Sequence, residues 1–187
     1  KEIAPFLQQH PAADHLITGV GMPASIFHLV KRLQHLDYDL VINAGIAGSF
    51  DHSIQPGDVV NVTSDCFADL GAWEKAEISS LFDLRLAEPS GFPFNDSRLT
   101  NQFDHPAIQH LPKVKGISVN MVTDNESLTD ALRRKYSADI ESMEGAGIHY
   151  VCLQEKVPFV QIRSISTFVG ERDKSQWKSE LAIRNLN

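Results

Sequence analysis

The segment Asp139-Ile-Glu-Ser-Met-Glu-Gly-Ala-Gly147 carries a carboxylate, Glu144, at the start of a small-residue helix. A short β-type run, Ala138 to Glu141, leads directly into it. Farther along, the apolar run Pro158-Phe-Val-Gln-Ile162 ends in Arg163-Ser-Ile-Ser-Thr167. Two such strand ends side by side in a parallel sheet would gather a carboxylate, a guanidinium and two hydroxyls in one crevice. That is where open α/β sheets bind ligands. Glu144 could hold two vicinal sugar hydroxyls, or it could simply favour the positive end of its helix. Arg163 could equally be a structural arginine paired with a nearby carboxylate. A charge set between Ile162 and Ile165 tilts the balance towards a site, because a buried charge without a partner is costly.

Other candidates are weaker. Gly45-Ile-Ala-Gly48 follows a strand, and its glycines let backbone N–H groups approach a ligand, yet the spacing is common in plain turns. It lacks the third glycine of a dinucleotide fingerprint and the Lys-Ser/Thr of a P-loop. The eight histidines show no metal-ligand spacing, and His149, inside an apolar helix, reads as a satisfied core histidine. No Gly-x-Ser-x-Gly elbow is present, so a serine hydrolase has no support. Phe92-Pro-Phe94, with Trp73 and Phe82, could line an apolar pocket, anchor a loop or touch another subunit.

The elements that must position these residues alternate between strand and helix. Strands are expected at His15–Val20, Tyr38–Asn43, Asp58–Thr63, Val114–Val122, Ala138–Glu141 and Val157–Ser166. Helices are expected over Pro23–Leu36, Ser127–Tyr136 and Met143–Lys156, with another at the C-terminal end. In the first helix Ile26, Phe27, Val30 and Leu33 form one apolar stripe, and Pro23 suits a first turn. The stretch Asp69–Leu111, rich in Pro, Asn, Asp and Phe, reads as loop and short helix. Alternation of this kind implies a mostly parallel sheet covered on both faces.

With 187 residues, 42% hydrophobic and 22% charged, the composition is that of one ordinary globular domain. The net charge of −7 argues against a nucleic-acid surface, and no 18-residue apolar run suggests a membrane span. Cys66 and Cys152 sit in apolar contexts and read as free thiols of a reducing compartment.

Taken together, Val41-Ile-Asn-Ala-Gly-Ile-Ala-Gly48, Gln55-Pro-Gly-Asp-Val-Val60, Ser142-Met-Glu-Gly-Ala146 and Arg163-Ser-Ile-Ser166 resemble the nucleoside phosphorylase/nucleosidase superfamily. Within it, Cys66-Phe-Ala-Asp-Leu-Gly-Ala72, Asp139–Ala146 and Ile165-Ser-Thr-Phe-Val-Gly-Glu-Arg-Asp173 look most like the futalosine hydrolase branch. The resemblance implies a three-layer α/β/α fold with a mixed, mainly parallel central sheet. It implies one nucleosidase domain over residues 1–187, its first strand expected before Lys1 and its last helix continuing past Asn187. It also implies a cytoplasmic homodimer, joined through the Phe-rich stretch and neighbouring helices, acting on a small purine nucleoside without metal or organic cofactor.

The implied reaction is hydrolysis of an N-ribosyl bond through an oxocarbenium-like ribosyl cation. Carried over by position, Glu2 is the general base and Arg163 helps hold the attacking water. Glu144 holds the ribose hydroxyls, with Met143 against the sugar. Met121 and Val122, closing their strand, flank the purine, Ser166 and Thr167 lie by the base, and Ala47 and Gly48 belong to the substrate-binding set. Thr167 stands where adenine-type members carry an aspartic acid. A hydroxyl can donate to N7 or to a 6-keto oxygen, which favours a 6-oxopurine. Ile46 fills the slot where phosphorylases tend to place a hydroxyl for phosphate, which favours hydrolysis. Arg172 and Lys174 are candidates for the far end of the substrate.

Overall fold

A computed structural model describes residues 2–187. Its helices are α1 (Ala4–Gln9), α2 (Met22–Leu33), α3 (Glu126–Tyr136), α4 (Gly145–Glu155) and α5 (Ser179–Leu186). Its strands are β1 (Val41–Ser49), β2 (Val59–Asp65), β3 (Gly71–Glu74), β4 (Glu77–Ser80), β5 (Leu99–Thr100), β6 (Lys113–Ser118), β7 (Ile140–Ser142) and β8 (Phe159–Phe168).

The main sheet runs β5-β2-β6-β7-β1-β8, and β2 also pairs with β8. The sheet is mixed, as expected, but it is not an open layer between two sheets of helices. Five strands close on themselves. Their inward residues, Ala47, Val60, Val62, Val114, Ile140 and Ile165, form one buried apolar cluster. Three of the six pairings are parallel and three antiparallel. The longest ladder is the parallel one, from Val41 opposite Phe159 to Ser49 opposite Phe168. Closure also separates β7 from β8, because β1 lies between them and runs antiparallel to β7. The two functional strand ends are therefore not direct neighbours.

Outside the closed sheet, α2 packs on α4 through Leu29, Ile148, Val151 and Cys152, with Phe159 of β8 and partly buried Val41 of β1. α2 starts at Gly21 (φ 87°) with Pro23 in its first turn. α3 begins where the Asn125 side chain accepts from Leu128 N, an N-cap of the usual kind. The stretch Asp69–Leu111 holds the β3–β4 hairpin, β5 and a single 3₁₀ turn at Pro106–Ile108.

Two expected strands change. His15–Val20 forms none, and Ile17 and Val20 face solvent at 64% and 76% exposure. A strand needs a ladder partner, and this segment pairs with none among the described residues; its Leu16 packs instead on the α2–α4 cluster. The strand expected to reach Val122 stops at Ser118, where Val119 N turns to donate to Ser142 O (3.0 Å). Cys66 and Cys152 are free and buried.

Candidate active site

The site is built on the β1–β8 ladder, where Gly45 stands opposite Arg163. The Arg163 side chain is 2% exposed, and its Nη1 donates to Asn43 Oδ1 (3.1 Å) and Ile162 O (3.4 Å). A Cβ on Gly45 would stand 2.8 Å from that Nη1 and 2.6 Å from Glu2 Oε2. Only glycine leaves room for both charged groups. Glu2 Oε2 accepts from Ile46 N (3.2 Å), so the Glu2 carboxylate and the Arg163 guanidinium converge over one bare stretch of backbone. Burial pulls the Arg163 pKa down, while the charges of Glu144, Glu2 and Asp65 push it back up. An arginine this deep depends on such partners.

Glu2 reaches this position from the first turn of the described chain. α1 itself buries no residue. It is tied to the other end of the chain by Asn187, whose Nδ2 donates to Glu2 O (2.8 Å) and whose Oδ1 accepts from Phe6 N (2.9 Å).

Glu144 stands at the N-cap position of α4 without bonding to that helix through its side chain, and its Oε1 accepts instead from Gly21 N (2.9 Å). Its carboxylate thus lies where α2 also begins. Behind both charged groups runs a polar chain that sequence reasoning missed. Asn43 Nδ2 donates to Gln161 Oε1 (3.4 Å), and Gln161 Nε2 donates to Asp65 Oδ2 (3.1 Å). Asp65 Oδ1 accepts from Cys66 N (2.8 Å) and Ser118 Oγ (3.1 Å). Ser118 Oγ in turn accepts from Ala146 N (2.7 Å) in the first turn of α4. Burial lifts the Asp65 carboxyl to about 6, against the lowering effect of Gln161, Ser118 and Arg98. The legible signal was Gln161 itself, a polar residue inside an otherwise apolar strand run. Asp65, beyond the expected end of its strand, gave none.

At the far end of β8 the ladder shifts register, with Ile165 opposite Ala47 but Thr167 opposite Gly48. Ser166 is the extra residue. Its hydroxyl is buried and donates to Ala47 O (3.2 Å). Such bulges re-aim side chains next to sites. Thr167 Oγ1 makes only a long contact to Phe168 O (3.3 Å). Ala47, Gly48, Ser166 and Thr167 are therefore brought together, as are Glu2 and Arg163, with Glu144 near enough to act on the Arg163 charge.

Met143 and Val122 are half-buried, and Val122 packs against the cluster around Ile117 and Val119. Met121 and Val122 do not close a strand, however, but lie past the end of β6, and Met121 is 71% exposed. His149 is a core histidine with one satisfied nitrogen, Nδ1 at 3.1 Å from Leu99 O. Burial lowers its pKa to about 3, which keeps it neutral. Of the aromatic group, Phe94 packs against Phe82, Phe67 and Tyr150, whereas Phe92 and Trp73 are exposed. Arg172 lies over the Trp177 ring.

The sequence profile of the Phosphorylase superfamily matches residues 8–186. A futalosine hydrolase of Acidothermus cellulolyticus is 32% identical over 93% of this chain and 72% of its own length. A 5'-methylthioadenosine/S-adenosylhomocysteine nucleosidase of Colwellia psychrerythraea is 29% identical over 91% of this chain and 72% of its own. Among solved structures, the native futalosine hydrolase of Helicobacter pylori superposes with a TM-score of 0.76 at 17% identity, covering 99% of this chain and 91% of that one. The Colwellia psychrerythraea nucleosidase in complex with adenine gives 0.69 at 24%, covering 90% and 72%. These two likenesses carry the fold. The profile match spans almost the whole chain and the sequence relatives are N-glycosyl hydrolases, so the chain belongs to the phosphorylase superfamily, as an enzyme of its nucleosidase branch.

Proposed function

We propose that this chain hydrolyses the N-ribosidic bond of futalosine, releasing hypoxanthine and dehypoxanthinyl futalosine, a step of menaquinone biosynthesis. The observation that carries the reading is the convergence of Glu2 and Arg163 over Gly45. A water held between them can lose a proton to the carboxylate while the guanidinium orients its oxygen. The nascent hydroxide attacks the anomeric carbon as the bond to the purine nitrogen breaks, and the electron pair leaves with the base. Glu144 accepts from the ribose 2'- and 3'-hydroxyls beside Met143. Its negative charge stabilises the ribosyl cation most where positive charge develops. Ala47, Gly48, Met121 and Val122 border the base, with Ser166 beside them. The Thr167 hydroxyl donates to N7 or O6 of the leaving base, which then takes a proton from solvent.

Thr167 supports a 6-oxopurine over adenine, since a hydroxyl cannot serve as the general acid that a carboxyl would be. The alternative is a methylthioadenosine/adenosylhomocysteine-type nucleosidase, favoured by relatives of that name at nearly the same identity. A phosphorylase is disfavoured by the apolar Ile46 beside the Glu2 carboxylate. A chain that binds nucleosides without cleaving them is the non-enzymatic reading. As part of the same proposal, the enzyme works as a cytoplasmic homodimer. Among the described residues no helix is long and apolar enough to cross a membrane.

Incubation with futalosine, inosine and methylthioadenosine, with and without phosphate, tests the reading by the base released. Hypoxanthine from futalosine without phosphate is expected. Adenine release alone would establish the alternative, and a phosphate requirement would make the chain a phosphorylase.

A further inference from the structure

Glu141 is a buried carboxylate to which the reaction above gives no task. It stands on β7 opposite Ile117 of β6 and opposite Gly48 of β1. Gly48 in turn stands opposite Thr167 of β8. Residues in register across a pleated sheet share a face, so Glu141, Gly48 and Thr167 form one row. The middle member has no side chain. The atoms nearest to where a Cβ on Gly48 would stand are Val169 Cγ2 (3.1 Å) and N (3.7 Å) and Thr167 Cγ2 (3.8 Å), so the Val169 side chain and the Thr167 methyl pack on Gly48, and a base entering the row lies against them. Two strand spacings, about 9.5 Å, separate the Glu141 and Thr167 backbones. That span accommodates the edge of one flat heterocycle with a hydrogen bond of about 2.8 Å at each end.

Glu141 is 7% exposed and its Oε2 has no hydrogen-bond partner. Burial first, and then the charge of Asp69, lift the Glu141 carboxyl to about 7, Arg172 opposes the rise, and neither charged group bonds to it. A buried carboxylate oxygen left without a donor is expensive, and each such group in a folded protein needs an explanation. A ligand that brings an N–H supplies one.

We propose that Glu141 accepts the N1–H of a 6-oxopurine base whose O6/N7 edge meets the Thr167 hydroxyl across Gly48. The 6-oxopurines present the two groups in the required order, a keto oxygen next to a ring N–H. Adenine presents a lone pair at N1, which the ionised carboxylate repels and only the protonated one could meet, so the discrimination belongs to the ionised form and the bases are compared at a pH above 7. The Thr167 hydroxyl favours a 6-oxopurine only through O6, since both bases carry N7, so the sharper discrimination falls to Glu141. This assignment rests on the nucleosidase reading for the place of the base, and it moves the choice of substrate from β8 to β7.

The test is calorimetric binding of hypoxanthine, guanine and adenine to the wild-type chain and to Glu141→Leu, run beside base release from inosine and methylthioadenosine. Loss of a charge-assisted hydrogen bond should weaken hypoxanthine and guanine by about 10- to 100-fold, with adenine nearly unchanged. The wild-type chain carries the same test without a variant. 1-Methylhypoxanthine keeps O6 and loses only the N1–H, so it should bind more weakly than hypoxanthine by a similar factor. Equal affinity for hypoxanthine and adenine, an unchanged Glu141→Leu, or no base bound at all would overturn the assignment. Selective binding of hypoxanthine with no cleavage of any nucleoside would instead sink the hydrolase reading and leave Glu141 as the reader of the base. Cleavage with no preference between inosine and methylthioadenosine would do the reverse.

Discussion

The two charged groups that meet over Gly45 are held in place by very different means. Arg163 sits inside the closed sheet, with Asn43 against its guanidinium and Gln161 and Asp65 behind Asn43. The same Asp65 reaches through Ser118 to the first turn of α4, just past Glu144. Glu2 comes from a turn before a helix with no buried residue, fastened through Asn187 and one backbone N–H of β1. The contrast teaches that the groups assigned to orienting substrate are built into the core, whereas the group assigned to moving the proton is attached from its margin. Low-stability attachments of this kind open first. The proton-transfer function should therefore be the more easily lost of the two.

The largest effect should come from removing the margin's chemistry while sparing the core. Glu2→Gln should lower kcat by about 10²- to 10⁴-fold, the usual worth of general base catalysis, with hypoxanthine binding nearly unchanged. Steady-state kinetics and calorimetry on the same preparation check this. Retained turnover would mean that the base lies elsewhere.

A smaller effect should mark the core. The buried Asp65 carboxyl is lifted to about 6, from about 3.9 in an unfolded chain. Between these values the folded state binds more protons than the unfolded one, so this group costs stability as pH rises from about 4 to about 6. The cost should then level off at about 3 kcal/mol, two units at about 1.4 kcal/mol each. Asp65→Asn should lack that slope. Denaturant unfolding at pH 5 and 7.5 should therefore show wild-type stability falling relative to the variant as pH rises. A constant gap between the two would remove Asp65 from this role.

The smallest change should come at the fastening. Asn187→Ala removes hydrogen bonds worth about 1 kcal/mol each, from a partly exposed place. Thermal unfolding should move by only a few degrees, while kcat falls several-fold and hypoxanthine binding holds. A loss of binding equal to the loss of kcat would erase the distinction between margin and core.

Most of the site was legible as chemistry before it was legible as geometry. Glu144 at a helix start and Arg163 past an apolar strand were readable because a charge in an apolar context is conspicuous. Ser166 and Thr167 were readable as hydroxyls, but not the register shift that makes Ser166 the extra residue. Glu141 passed as part of a β-type run, since only its register with Gly48 and Thr167 brings it to their row. The strand expected at His15–Val20 failed for the complementary reason. Its apolar pattern was sufficient, but the segment has no ladder partner among the described residues, and Leu16 is used against the α2–α4 cluster instead.

The sequence alone determined the order of helices and strands and the residue types that crowd their ends. Periodicity, caps and glycine act within a few residues, and the chain carries them wherever it goes. The tertiary structure decided the partners. Closure of β2 onto β8, the insertion of β1 between β7 and β8, and the meeting of Glu2 with Arg163 all depend on contacts between distant parts of the chain. Such contacts form only when the whole core is buried at once, because the entropy of bringing distant segments together is repaid by collective packing rather than by any local signal.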